Sequence, residues 1–159
     1  MPNVDKIISA HNKSILKKNN EHISNTEKTC NCRRKAECPL EGNCLTKGVI
    51  YQATVTRVDN NKEETYVGLT ENNFKTRYNG HICSFRHSSK RNSTTLSNYI
   101  WKLKDDNIQH SVKWKVLAKG SPYSTATKSC SLCLKEKFII ICKPHLASLN
   151  IRNELVTEC

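Results

Sequence analysis

The chain has 159 residues, with 26 Lys and Arg against 14 Asp and Glu, a formal net charge of +12 and 36% hydrophobic residues. That surplus excludes an acidic-surface role and favours a polyanionic partner, nucleic acid ahead of an anionic membrane; a solvated cationic surface is the plain alternative. No apolar run at "MPNVDKIISAHNKSILKK" is long enough for a signal peptide or a membrane span. A nuclear or cytoplasmic protein is therefore expected, not a secreted one and not a membrane partner. Nine cysteines in such a compartment read as metal ligands or buried thiols before disulfides.

Residues 1–29 read as a leader and linker, Val4, Ile7, Ile8, Ile15 and Leu16 offering at most a weak amphipathic stripe. Residues 30–45 hold "CNCRRKAECPLEGNC", in which Cys30, Cys32, Cys38 and Cys44 are spaced C-x-C-x5-C-x5-C. Four thiolates within so short a segment can close a tetrahedral zinc site, although ordinary fingers use two close pairs and a longer loop. Free thiols and disulfides are the alternatives. Such a knuckle would present Arg33, Arg34 and Lys35 to DNA.

Residues 46–159 read as the main domain. "GVIYQATVTRV" is rich in Val, Ile, Tyr and Thr and predicts a strand. "DNNKEE" is a turn, and "TYVGLT" a second strand forming a hairpin with the first. Thr70 is expected to cap a helix over "ENNFKTRYNGHICSFRH". Phe74, Tyr78, Ile82 and Phe85 line its apolar face, with Arg77 and His81 sharing a neighbouring one. "TTLSNYIWKLKDDN" predicts a second helix with Leu96, Ile100 and Leu103 inward. "HSVKWKVLA" alternates at Val112, Trp114 and Val116 and predicts a third strand. "CSLCLKEKFIIIC" predicts a third helix whose apolar second half implies burial. The expected fold is α/β: a three-stranded antiparallel or mixed sheet flanked by helices, in the order β-β-α-α-β-α.

"GVIY", "TYVG", "FKTRYNGH", the helical Glu136 and Asn150 in "SLNIRN" resemble the GIY-YIG nuclease family. From Cys30 to Cys159 the chain is closer still to the C-terminal endonuclease domain of Penelope-like retroelements, through "CNC", "CPL", "GNCL", "YVGLTENNFKTRYNGH", "SFRH", "LSNYIWKLK", "CSLCLKEK" and "ELV". The first motif reads Val-Ile-Tyr, with Gly48 displaced by one position, and the second reads Tyr-Val-Gly. A further histidine that many homing nucleases carry after the arginine helix has no counterpart in "NSTTLSN". The resemblance implies a mobile-element endonuclease that hydrolyses DNA phosphodiesters with one Mg²⁺ or Mn²⁺, and a reverse transcriptase, encoded separately or lost, as a partner.

Phosphodiester hydrolysis needs an activated water and neutralisation of charge on the phosphorane and the leaving oxygen. By resemblance Tyr51 activates the water with Tyr66 in support, a nearby cation lowering the phenol pKa. Arg77 has the planar fork to hold the scissile phosphate. His81 could protonate the leaving oxygen, bind phosphate, ligate zinc, or be a surface histidine. Glu136, a lone carboxylate in an apolar helix, is the candidate ligand for Mg²⁺ or Mn²⁺, a lysine salt bridge being the alternative. Asn150 would bond near the phosphate, brace the tyrosine hairpin, or cap a loop.

Cys130 and Cys133 could form a second zinc site with His81, Cys83 or His87, Cys133 as a core thiol being the alternative. Arg86, His87, Lys90, Arg91, Lys102 and Lys104, with Lys113 and Lys115, are candidate phosphate contacts, about half of them expected to be solvated surface charges. Two rival functions stand beside the nuclease: a catalytically inactive DNA-binding module derived from one, and a zinc-stapled protein-interaction module.

Overall fold

The computed structural model describes residues 28–121 and 123–150. The weak stripe from Val4 to Leu16 and the "ELV" motif lie outside those residues. Strands β1 (Val49–Arg57), β2 (Glu63–Thr70) and β3 (His110–Lys119) form one sheet in the order β2-β1-β3, every pairing antiparallel. Helices α1 (Phe74–Arg86) and α2 (Thr95–Asp105) follow the hairpin, and α3 (Ser131–Cys142) follows β3. Among the described residues no helix is long and apolar enough to cross a membrane.

Alternation along the central strand sorts its side chains into two layers. Val49, Tyr51, Ala53 and Val55 join Phe74, Phe85, Leu96, Ile100, Leu103 and Trp114 in one buried core under α1 and α2. Ile50 faces the other way, into a smaller core with Val67, Leu132, Ile139 and Ile140 under α3. A register shift between β1 and β3 falls at Ile50/Tyr51, where Tyr51 pairs with Val116 and Ile50 with Ala118. The extra residue, Leu117, packs with the α3 core while Val116 packs with the other.

The cysteine-rich segment does not stand apart. Cys30, Cys38, Leu40 and Cys44 are buried in the same core as Tyr51 and Phe74. Its chain then closes the start of α1: Phe74 N donates to Thr46 O at 3.0 Å and Lys75 N to Cys44 O at 2.8 Å. This explains a correction. Thr70 does not cap the helix; it ends β2, and its hydroxyl donates to Asn72 O. Asn73 occupies the N-cap position without a side-chain hydrogen bond. The first-turn amides find carbonyl partners in the cysteine segment, so no capping side chain is required. By contrast, Thr94 caps α2 by accepting from Ser97 N at 3.1 Å.

The second half of α3 is also less buried than its sequence predicts. Ile139 and Ile140 are buried, but Leu134, Phe138 and Ile141 are 63%, 56% and 54% exposed. A helix lying on one face of a sheet can bury only one stripe, and these three fall on the opposite side at helical spacing.

Two glycines are dictated by the backbone. Gly48 has φ +62, and a Cβ there would lie 2.4 Å from Gly120 O. The left-handed turn and the close approach of β3 to β1 fix glycine at this position. Gly68 is fixed by Tyr51, as described next.

Candidate active site and cysteine cluster

Tyr51 lies near the start of β1 and is fully buried. Its register partner on β2 is Gly68. A Cβ on Gly68 would come within 2.4 Å of the Tyr51 hydroxyl and 2.7 Å of its ring carbon Cζ. Glycine therefore leaves the room in which this phenol crosses the neighbouring strand to meet α1. Phe74 stacks on the ring at 5.2 Å between centroids, and Trp114 flanks it at 5.9 Å.

At the end of that path three side chains meet. Arg77 Nε donates to the Tyr51 hydroxyl at 2.9 Å, and the hydroxyl lies 2.8 Å from His81 Nε2. Arg77 and His81 are one turn apart on α1, so the helix presents both to one phenol. Because Arg77 Nε can only donate, the phenol oxygen accepts from it and its own proton is available for His81 Nε2. Tyr66 is buried beside them, its ring edge-on to His81 at 5.9 Å.

Burial dominates the electrostatics of this group. It pushes the Tyr51 phenol up to about 12, against the lowering by Arg77. This corrects the expectation that a nearby cation leaves the phenol acidic: with the hydroxyl shut away from water, desolvation outweighs the guanidinium. Glu136, half-buried on α3, adds a smaller push in the same direction, so its carboxylate lies within electrostatic reach of Tyr51. Burial also pulls His81 down to about 3, with the Arg77 charge adding to it. His81 is thus a buried neutral base, not a surface histidine. For Arg77 itself burial lowers the pKa, and the two phenols more than offset that.

Asn150 braces the hairpin. Its Oδ1 accepts from Val67 N and its Nδ2 donates to Val67 O, both at 2.8 Å. Ser148 reinforces the same edge, its Oγ accepting from Thr65 N at 2.8 Å. Trp114, whose indole packs on Tyr51, Tyr78 and His81, was not singled out from the sequence as part of the site. The signal was present: alternation puts it inward, and its partner across β1 is the small Ala53.

The four cysteines come together. The ligand atoms of Cys30, Cys32, Cys38 and Cys44 all lie within 4.8 Å of one another and could hold a metal ion such as zinc. Cys44 Sγ is 3.0 Å from Cys30, 3.6 Å from Cys32 and 3.7 Å from Cys38. Tetrahedral ligation with Zn–S near 2.3 Å requires S···S of about 3.8 Å, so the donor set fits zinc with small adjustments. Hydrogen bonds with Cys38, then Cys44 and Cys30, push the Cys32 thiol up to about 12. Burial pushes Cys44 up as well, but hydrogen bonds led by Cys30 and the Asn31 backbone bring it down to about 7. One sulfur is already biased toward thiolate, the form that ligates.

The second cysteine set does not assemble. Cys133 is disulfide-bonded and offers no thiolate. Cys130 is the N-cap of α3, its sulfur accepting from Cys133 N. His81 is committed to Tyr51, Cys83 accepts from Lys90 Nζ at 3.3 Å, and His87 lies exposed past the end of α1. Among the described residues the first cluster is the sole metal-capable grouping.

The candidate DNA contacts divide. Arg86, His87 and Lys102 are exposed. Arg91 pairs with Asp105 at 2.9 Å, and Lys104 donates to Phe85 O while its ammonium lies 4.5 Å above the Trp101 ring. Arg91 and Lys104 thus tie α2 to α1 and its following loop. Comparison of the chain with protein-family models, with curated proteins and with solved structures returns no match.

Proposed function

We propose that the chain is a metal-dependent endonuclease of the GIY-YIG type that nicks or cuts DNA. The observation that carries this reading is the convergence of Tyr51, Arg77 and His81 through the opening at Gly68, with Tyr66 beside them and Glu136 within electrostatic reach. A buried phenol held between a guanidinium and a neutral imidazole is an elaborate arrangement for a purely structural strand, and each member has a use in phosphodiester hydrolysis.

With Nε anchored on Tyr51, the terminal nitrogens of Arg77 would fork the oxygens of the scissile phosphate. Tyr51 would orient the attacking water, and its proton has a ready acceptor in His81 Nε2. Tyr66 would hold Arg77 in place. Asn150 keeps the β2 edge, and so Gly68, in register. Glu136 is the residue that would hold Mg²⁺ or Mn²⁺; as a single half-buried carboxylate it suits an ion that keeps several waters. Such an ion would offset phosphorane charge and cancel the field by which Glu136 raises Tyr51. The cysteine cluster would serve as a structural zinc site.

A second reading is favoured by one observation. Tyr51 has no solvent exposure and its pKa is pushed up to about 12, as suits an inert brace in a DNA-binding module that does not cleave. A supercoiled-plasmid nicking assay with Mg²⁺ or Mn²⁺ separates the two. The nuclease reading expects metal-dependent nicking by the wild type and its loss in Arg77→Ala and Glu136→Ala. Salt-sensitive binding with no nicking under either metal establishes the inactive module instead, and absence of DNA binding sinks both.

A further inference from the structure

A half-open groove of about 540 Å³ lies where the cysteine segment meets the sheet, lined by Lys28, Thr29, Leu45, Thr46, Lys47 and Lys119. Three of its six lining residues are lysines and none is acidic. All three lysines are exposed, and among the described residues none is in an ion pair. The Thr46 hydroxyl oxygen, buried in the wall, has no hydrogen-bond partner among the described residues. The walls are held in place by backbone: Leu45 N donates to Thr29 O at 2.8 Å, and Lys119 pairs with Val49 at the start of β1. The groove is coupled to the candidate site, because Thr46 O accepts from Phe74 N, one turn ahead of Arg77 on α1. Tyr51 is only two residues further along β1 than Val49, about 7 Å away.

We propose that this groove is a second nucleic-acid contact, taking backbone phosphates of the same DNA whose scissile phosphate Arg77 would hold. The proposal rests on the nuclease reading. Leu45 is the one apolar residue among the six that line it, too little to select a small apolar ligand. Lysines at an open rim instead suit a hydrated polyanion bound as a row of point charges.

The test is fluorescence anisotropy of a labelled duplex oligonucleotide with the full zinc-loaded chain, without added Mg²⁺ or Mn²⁺, across a range of salt. The groove variant is Lys28→Gln/Lys47→Gln/Lys119→Gln. The comparator, Lys62→Gln/Lys128→Gln/Lys143→Gln, carries the same net charge. The groove variant should lower the slope of log K against log salt by about 3 and weaken binding by at least about tenfold at 150 mM salt, while the comparator changes little. Equal effects in both variants overturn the proposal, since only net charge then matters. Amide shifts at Thr46 and Lys47 produced by millimolar inorganic phosphate, with no competition by the oligonucleotide, overturn it in favour of a small-anion site. A wild type that binds no DNA overturns the nuclease reading itself.

Discussion

At the residue scale, the phenol of Tyr51 sets the local energetics. Tyr51→Phe leaves the ring stacked on Phe74 but removes the partner of Arg77 Nε and His81 Nε2. Two inward-facing polar groups lose a hydrogen bond, so a loss of about 1–3 kcal/mol in denaturant-derived stability is expected, together with abolished nicking. Gly68→Ala attacks the same contact from the other side. Its methyl would lie 2.4 Å from a hydroxyl on a ring that cannot retreat, so overpacking should cost about 1–3 kcal/mol and displace Tyr51 from Arg77. His81 supplies a pH test. Its folded pKa is pulled down to about 3, below an unfolded value near 6.5, so the unfolded chain binds the proton more readily. Stability from this group is therefore full above pH 6.5 and falls as pH drops toward 3. Between pH 7 and pH 5 the loss should be about 2 kcal/mol, and His81→Gln should remove that slope from urea titrations. A wild-type slope unchanged by the substitution would show that His81 is not the buried neutral base described here.

At the scale of elements, β2 is an edge strand, and Asn150 occupies both backbone groups of Val67 on that edge. Asn150→Ala should expose them to water, accelerate hydrogen exchange at the Val67 amide, and cost about 1–2 kcal/mol. The hairpin, the second helix and the third strand were legible in the sequence because period-2 alternation and the 3.6-residue stripe are local signals; Leu96, Ile100 and Leu103 are buried as their spacing implies. The start of α1 differs from the expectation at Thr70 because its cap is not local: the carbonyls of Cys44 and Thr46 come from a distant segment of the chain, ahead of β1. The all-apolar end of α3 was misread because composition does not say which stripe of a helix meets the sheet. At the candidate site Tyr51, Arg77 and His81 were named through the resemblance of their motifs, and the structure brings the three side chains together. The burial that reverses the expected phenol shift, and the packing of Trp114, depend on the folded core and were not.

At the scale of the whole molecule, the cysteine cluster and the candidate site share one core. Cys44 bears a sulfur of the metal-capable group, and its carbonyl accepts from Lys75 N, two residues before Arg77. Thr46 O accepts from Phe74 N on the same turn. Metal at the cluster would thus fix the carbonyls that start α1, and through α1 the guanidinium and imidazole facing Tyr51. The coupling makes a prediction that a free-standing knuckle would not. Zinc titration should saturate at one ion per chain. Its removal by a chelator, or the substitution Cys44→Ser, should raise hydrogen exchange at the Phe74 and Lys75 amides before the sheet amides of β1 and β3 respond. Nicking should fall with the same chelator dependence and return on adding zinc alongside Mg²⁺, while Mg²⁺ alone should not restore it. If the α1 amides keep their protection after zinc is stripped, the carbonyls of Cys44 and Thr46 hold their places without the metal, and the cluster has no hand in placing Arg77.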